Sequence, residues 1–295
     1  PVVTVDTFAT SPALHLGWQP FEGRPIRAAA SAASAADLAV VVVADPTSEG
    51  WDRSTLALPA DQNRLISAVA AANRNTVVVL DTASAVSMPW LTHVAAVVEA
   101  WYPGQTDGTA LARVLFGDVN PSGKLPVTFP RSNHQRPARK TNEYPGDGHD
   151  VYYDEGLRVG YRWYDATHHS PLFPFGFGLS YTRFRISHLQ VTRHGNTYSA
   201  AVTVRNTGAR AGADVVQLYV GYPAGAGEPP RSLKGYTKVG LQPGASRHLT
   251  ITLTRSAFRV WDSLDRGWRL LPGTYRISVG DSSRHLPTHA AVSIS

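Results

Sequence analysis

Cysteine is absent from the 295 residues, methionine occurs once and lysine four times. Without cysteine there is no disulfide framework, no thiolate metal site and no cysteine nucleophile, and the redox compartment stays open. No apolar run approaches the ~20 residues of a membrane-spanning helix; the longest extends from Leu38 to Ala44, so no membrane partner is expected. There is no Asn-x-Ser/Thr acceptor with x other than Pro, no Gly-x-x-x-x-Gly-Lys phosphate loop and no Gly-x-Ser-x-Gly nucleophile elbow. The adjacent pair His168-His169 is not spaced for one face and the other histidines are dispersed, so no metal site is expected.

What is present is the composition of a globular protein: 43% hydrophobic, 17% charged and 9% aromatic residues, with 25 Gly and 21 Pro to make turns. The length suits about two domains. The net charge is +6, and of 28 basic residues 24 are Arg. They are scattered. The densest cluster, Arg131 to Lys140, lies in a Pro- and Asn-containing stretch that reads as a solvated loop, so no nucleic-acid partner is expected. Pro1 opens the chain, the sole Met is Met88 and no signal-type segment is present, which reads as a piece of something longer and leaves localisation unknown, secreted or cytoplasmic.

Residues 37–129 alternate strand and helix signals. Leu38 to Ala44, Thr76 to Leu80 and Val94 to Ala100 are short Val-rich runs suited to strands buried on both faces. Between the first two, Leu58 to Asn73 has Pro59 in an expected first helical turn, Asp61 near the positive end, and Leu65, Ile66, Val69 and Ala70 at helical spacing. A second helix is expected over Gly108 to Phe116. The alternation predicts a mostly parallel α/β sheet. From Phe184 the period becomes two, with the clearest strands at Tyr198 to Asn206, Asp214 to Gly221, His248 to Thr254 and Thr274 to Gly280. That predicts an antiparallel, immunoglobulin-like β-sandwich. The expected organisation is an upstream segment over 1–30, an α/β sandwich domain over 31–130, a connecting segment over 131–183 packed on both domains, and the β-sandwich over 184–295.

The candidate for chemistry is Ser48-Glu49-Gly50-Trp51-Asp52-Arg53, because it follows the first buried strand and ligands of parallel sheets bind outside the strands' carboxyl ends. Glu49 beside a permissive Gly and a large aromatic reads either as a proton donor with a platform for a sugar or base, or as a solvated Glu on a surface loop. Asp52 and Arg53 read as a pair that braces the loop. Gly176-Phe177-Gly178-Leu179-Ser180 follows no strand and opens no helix, so it reads as a turn, as does Asn120-Pro121-Ser122-Gly123. Trp90, Trp101, Trp163 and Trp268 read as core.

Taken in order, Glu49-Gly50-Trp51-Asp52-Arg53, Leu56-Ala57-Leu58-Pro59, Met88-Pro89-Trp90, Trp101-Tyr102-Pro103-Gly104-Gln105 and Phe116 to Pro126 resemble the C-terminal half of family-3 glycoside hydrolases, the β-glucosidase group. Tyr153 to Arg162 and Phe173 to Thr182 resemble that family's lead into a fibronectin-type-III-like domain, and Asn206-Thr207-Gly208, Leu233-Lys234-Gly235-Tyr236 and Pro272-Gly273-Thr274-Tyr275 resemble the domain itself. Residues 1–25 resemble the end of a lectin-like domain inserted in some members.

The resemblance implies a retaining, exo-acting β-glycosidase, foremost a β-glucosidase, acting on oligosaccharide or aryl β-glycosides with no cofactor. It places Glu49 on the general acid/base, Trp51 on an aromatic bordering the aglycone subsite, and Asp52 and Arg53 on loop support; Ser48 stands where many relatives have Gly. The nucleophile would be an Asp on an N-terminal (β/α)8 barrel partner that these residues do not contain, so the chain alone is expected to be inactive. Retaining chemistry requires the two carboxylates about 5 to 5.5 Å apart. The alternative is a non-catalytic carbohydrate-binding or scaffold protein of the same two domains.

Overall fold

A computed structural model of the chain describes residues 25–47, 49–50 and 53–295. They form two compact units, dividing between Gln105 and Thr106. The first unit runs α1 (Pro25–Ser34), β1 (Ala39–Ala44), α2 (Gln62–Ala72), β2 (Thr76–Asp81) and β3 (Ala96–Glu99), with the strands parallel in the order β1-β2-β3. Parallel pairing requires a crossover, and α2 supplies the one between β1 and β2. It turns Ile66, Val69 and Ala70 inward and contacts both strands, while α1 packs on α2.

Burial on both faces holds for the central strand β2, where Thr76, Val78, Val79 and Leu80 are buried. It does not hold for β1. Val41 and Val43 are buried but Val40 and Val42 are exposed, because α2 covers that strand from one side. The helix also begins later than its sequence pattern predicts: Ala60 sits at φ 52, a left-handed conformation that interrupts a helix, so Pro59 precedes α2 instead of opening it. The side chain of Gln62, at the start of α2, mimics a neighbouring strand. Its Oε1 accepts from Ala44 N and its Nε2 donates to Ala44 O, both at 2.8 Å, which secures the carboxyl end of β1. Trp90 is core as expected and donates from Nε1 to Asn63 at 2.8 Å.

The second unit begins with α3 (Asp107–Leu115) and includes α4 (Tyr161–Ala166). The strands follow as β4 (Phe184–His194), β5 (Thr197–Asn206), β6 (Gly212–Gly221), β7 (Ser232–Leu241), β8 (Ser246–Thr254), β9 (Arg259–Asp262), β10 (Gly267–Leu270), β11 (Gly273–Gly280) and β12 (Thr288–Ile294). Two antiparallel sheets, β12-β11-β6-β7 and β4-β5-β8, face each other, with β9 and β10 as a separate hairpin. Alternating residues of both sheets, among them Val202, Val204, Val216, Leu218, Tyr275 and Ile277, fill one core together with Phe258 from the short helical turn after β8. This is the predicted parallel α/β sheet followed by an antiparallel, fibronectin-type-III-like sandwich.

Two motifs that read as turns are packing devices as well. A Cβ on Gly178 would lie 2.1 Å from the Gly123 carbonyl, so only glycine allows the two turns to touch. Asn206 is buried and fully engaged: its Oδ1 accepts from Thr182 Oγ1 and Gly208 N, and its Nδ2 donates to the carbonyls of Arg210 and Leu241. The segment before β4 is fastened to the sandwich by Asp165, which pairs with Arg231 at 2.8 Å and Arg284 at 3.1 Å. Trp163 is buried, but Trp268 is not. It lies on the β9–β10 hairpin opposite Trp261, ring centroids 5.5 Å apart, where a two-stranded ribbon has no second layer to enclose it.

Candidate active site

All three parallel strands end in a carboxylate: Asp45 directly after β1, Asp81 at the end of β2 and Glu99 at the end of β3. The Glu49 turn rises from this edge, where the sheet's backbone pairing stops and loops take over. Glu49 is exposed, and Gly50 beside it has φ 77 with open space where a Cβ would be. Glycine therefore serves the backbone turn here, not a tight fit. Two cavities among the described residues lie elsewhere, one of about 520 Å³ lined by Ile26, Asn63 and Ser67, another of about 180 Å³ lined by Lys124, Phe177 and His285.

The turn is held at its base by a buried ion pair. Arg53 Nη1 donates to Asp45 Oδ2 at 2.6 Å, and the Asp45 side chain is only 2% exposed. Arg53 also reaches Ser84 Oγ at 3.1 Å and the Ala57 carbonyl at 3.0 Å. The second oxygen of Asp45 accepts from Ala83 N at 2.9 Å and from the Tyr102 hydroxyl at 3.1 Å. That hydroxyl also bonds the Asp45 carbonyl and lies 3.0 Å from Thr47 Oγ1. A charge removed from water is tolerable when its lone pairs are filled, and Asp45 meets that condition. Asp45 and Arg53 thus fix the chain on both sides of Glu49.

Glu99 is half-buried beside this pair. Trp101 N donates to its Oε1 at 3.1 Å, and Thr82 Oγ1 lies 3.1 Å from Oε1 and 3.3 Å from Oε2. Burial pushes the Glu99 carboxyl up to about 7; the hydrogen bonds from Trp101 and Thr82 oppose this, and the negative charges of Asp45 and Asp81 add to it. Trp101 itself has φ 58, an uncommon conformation for a bulky residue, and the bond to Glu99 helps hold it. No three acidic or histidine side chains among the described residues gather as a metal site.

Of the residues singled out from sequence, Glu49 stands exposed on the turn, while Ser48, Trp51 and Asp52 lie outside the described residues. Arg53 braces the loop through a buried partner that the sequence reading did not name, Asp45; its expected pairing with Asp52 lies outside the described residues. Asp45, Thr82, Glu99 and Tyr102 escaped notice individually. A signal existed for three: each acidic residue ends a Val-rich run, and Tyr102 lies in the Trp101-to-Gln105 motif.

The pattern of the Glycosyl hydrolase family 3 C-terminal domain matches residues 22–181, and that of the Fibronectin type III-like domain matches residues 214–283. The chain is 43% identical over 277 residues to a thermostable beta-glucosidase B of Acetivibrio thermocellus, covering 91% of this chain and 36% of that protein. It is 39% identical over 290 residues to an exo-alpha-(1->6)-L-arabinopyranosidase of Bifidobacterium breve, covering 96% of this chain and 38% of the relative. The fold is similar to the crystal structure of DesR, a beta-glucosidase from Streptomyces venezuelae in complex with D-glucose, with TM-score 0.90 and 44% identity, covering 92% of this chain and 35% of DesR. The chain spans about a third of the length of these relatives.

Proposed function

The chain belongs to glycosyl hydrolase family 3, and from that membership we propose that it is the C-terminal portion of a retaining, exo-acting β-glycosidase, foremost a β-glucosidase, to which it supplies the general acid/base Glu49. The nucleophile comes from an N-terminal (β/α)8 barrel, and the functional domains are those read from the sequence, 31–130 and 184–295 joined by 131–183. The observation that carries the reading is an exposed carboxylate raised on a turn whose two ends are clamped by a buried Asp45–Arg53 pair. A solvated surface glutamate has no need of such a clamp; an acid that must protonate a departing oxygen does, because proton transfer depends on placement.

The chemistry divides between two carboxylates. One attacks the anomeric carbon and forms a glycosyl-enzyme, while Glu49, protonated, gives its proton to the departing glycosidic oxygen. Glu49, now ionised, then takes a proton from the water that hydrolyses the intermediate. Each step balances without a cofactor. The substrate is an oligosaccharide or aryl β-glycoside, with Trp51 as a stacking surface for its aglycone. The relatives' names include both a glucosidase and an arabinopyranosidase, so family membership leaves the sugar itself open.

The decisive experiment is Glu49→Gln in the complete enzyme. Hydrolysis of a disaccharide should fall by about 10² to 10⁴-fold, whereas an activated aryl glycoside should still form the glycosyl-enzyme and azide should restore turnover with a glycosyl azide product. Unchanged disaccharide hydrolysis removes Glu49 from the mechanism. Trp51→Ala should weaken transition-state binding of disaccharides by ~0.5 to 3 kcal/mol more than that of small aryl glycosides; an equal loss on both rejects the subsite role.

A further inference from the structure

Thr82 sits between two acceptors with a single proton to give. Its Oγ1 is 3.1 Å from the Ser84 carbonyl and 3.1 Å from the nearer Glu99 oxygen. A carbonyl is only an acceptor, and an ionised carboxylate likewise, so one hydroxyl serves both only by splitting a single proton between them, which weakens each bond. A proton on Glu99 removes the conflict. Oε1 continues to accept from Trp101 N, the carboxyl O–H on Oε2 donates to Thr82 Oγ1, and Thr82 donates onward to Ser84 O. Ser84 is the residue whose hydroxyl accepts from Arg53, the brace of the Glu49 turn. The other end of the chain, Trp101, adjoins Tyr102, whose hydroxyl holds Asp45 and Thr47.

We infer that Glu99 is a proton-dependent positioning residue for the acid/base loop, working through Thr82 and Ser84 on Arg53 and through Trp101 and Tyr102 on Asp45. The inference deepens the reading of Glu49 as acid/base and rests on it. Glu99 touches no reacting group; it acts on those that hold one in place. The charged groups that bear on it are Asp45, from the end of β1, and Asp81, from the end of β2, both negative; Arg53 is held by Asp45. Burial and these two neighbours favour the protonated form, in agreement with the donor count. When the pH rises the proton leaves to solvent, Thr82 turns its hydrogen toward the new carboxylate, and the Ser84 carbonyl loses its donor. The loop is then held less tightly. Glutamine at this position imitates the protonated acid permanently, with Nε2 donating to Thr82 and Oε1 accepting from Trp101.

The test has a structural arm and a kinetic arm. In the 295-residue chain, the ¹⁵N resonances of the Trp101 amide and the Arg53 guanidinium are followed between about pH 5 and 9, a range that brackets a titration near 7. Both should move with one common midpoint in the wild type and stay flat in Glu99→Gln. Absence of that titration, or its persistence in Glu99→Gln, overturns the relay. In the complete enzyme, Glu99→Gln should carry kcat/KM to higher pH than the wild type does. Glu99→Leu, which can neither donate nor accept, should lower kcat/KM about tenfold at every pH, as expected for a slightly misplaced catalytic group. Azide rescue of Glu49→Gln together with coincident pH profiles for wild type and Glu99→Gln leaves Glu49 its role and overturns that of Glu99. An Arg53 resonance that follows the Glu99 titration, with no azide rescue, overturns the acid/base reading and not the relay.

Discussion

The sandwich and the carboxyl edge of the parallel sheet keep their shapes by different means. In the sandwich, buried Val, Leu, Ile and Tyr side chains from two sheets, with Phe258 from the turn after β8, fill one core, and the fully buried Asn206 is closed off by hydrogen bonds to backbone and to Thr182. Position there is enforced by packing, which is redundant: many contacts share the load. At the sheet edge the side chains that matter are Asp45, Arg53, Thr82, Glu99 and Tyr102, and what holds them is charge and donor–acceptor matching. Such an arrangement has few contacts, each directional, and those of Glu99 depend on whether its carboxyl is protonated. Stability and function should therefore separate between the two regions. Apolar substitutions in the sandwich should change folding and spare chemistry, while single-atom changes at the sheet edge should change chemistry first.

The hardest test of that contrast is the chain by itself. If the nucleophile belongs to the proposed barrel, the chain should show no turnover of aryl β-glycosides, even with the sandwich fully folded; release of nitrophenol at ordinary enzymatic rates of about 1 to 10³ per second would contradict that proposal. Next, Phe258→Ala should lower the stability of the sandwich by about 3–5 kcal/mol, since Phe258 is fully buried against Tyr198 and Tyr275. Hydrogen exchange in β2 should be unaffected, and equal loss of protection in β2 would show that the two regions do not differ in the way described. Arg53→Met, which leaves Asp45 buried without its counter-charge, should weaken the sheet edge by about 2–3 kcal/mol, seen as faster exchange at 41–45 and 78–83 with the sandwich strands unchanged.

The smallest expected effect is a slope. Because the folded protein holds the Glu99 proton up to about 7 against a usual 4.5, the native state binds more protons than the unfolded state between those values. Stability from this group is therefore complete below pH ~4.5 and declines as pH rises toward ~7. The decline is moderated by solvent reaching a half-buried carboxyl. Denaturant titrations of wild type and Glu99→Gln across that window isolate it: the wild type should lose stability relative to the variant as pH increases, and the opposite trend would contradict the raised pKa.

Much of the fold was legible because it follows from periodicity. The Val-rich runs became β1, β2 and β3, and the period-two stretches became β5, β6, β8 and β11. The boundaries that slipped did so for local reasons that composition does not carry, such as the left-handed Ala60 ahead of α2. The exposure of Val40 and Val42 and of Trp268 went unforeseen, since an apolar residue does not announce whether a second layer will cover it. Of the candidate site, Glu49 was singled out through its neighbours in the chain, as a glutamate beside glycine in a motif that follows a buried strand, and its role there is our proposal.

The two-part architecture and the family can be read from hydrophobic period, turn residues and contiguous motifs, because these are properties of near neighbours along the chain, and the same motifs single out Glu49 as the residue we propose for proton transfer. Only the tertiary structure decided what steadies that residue. Asp45 meets Tyr102 across 57 positions, and Thr82 meets Glu99 across 17. Those meetings depend on the order and register of three parallel strands, which bring their carboxyl ends to one edge. Burial at that edge then raises the Glu99 pKa and leaves Thr82 with two claims on one proton, a conflict that exists only between side chains already brought together.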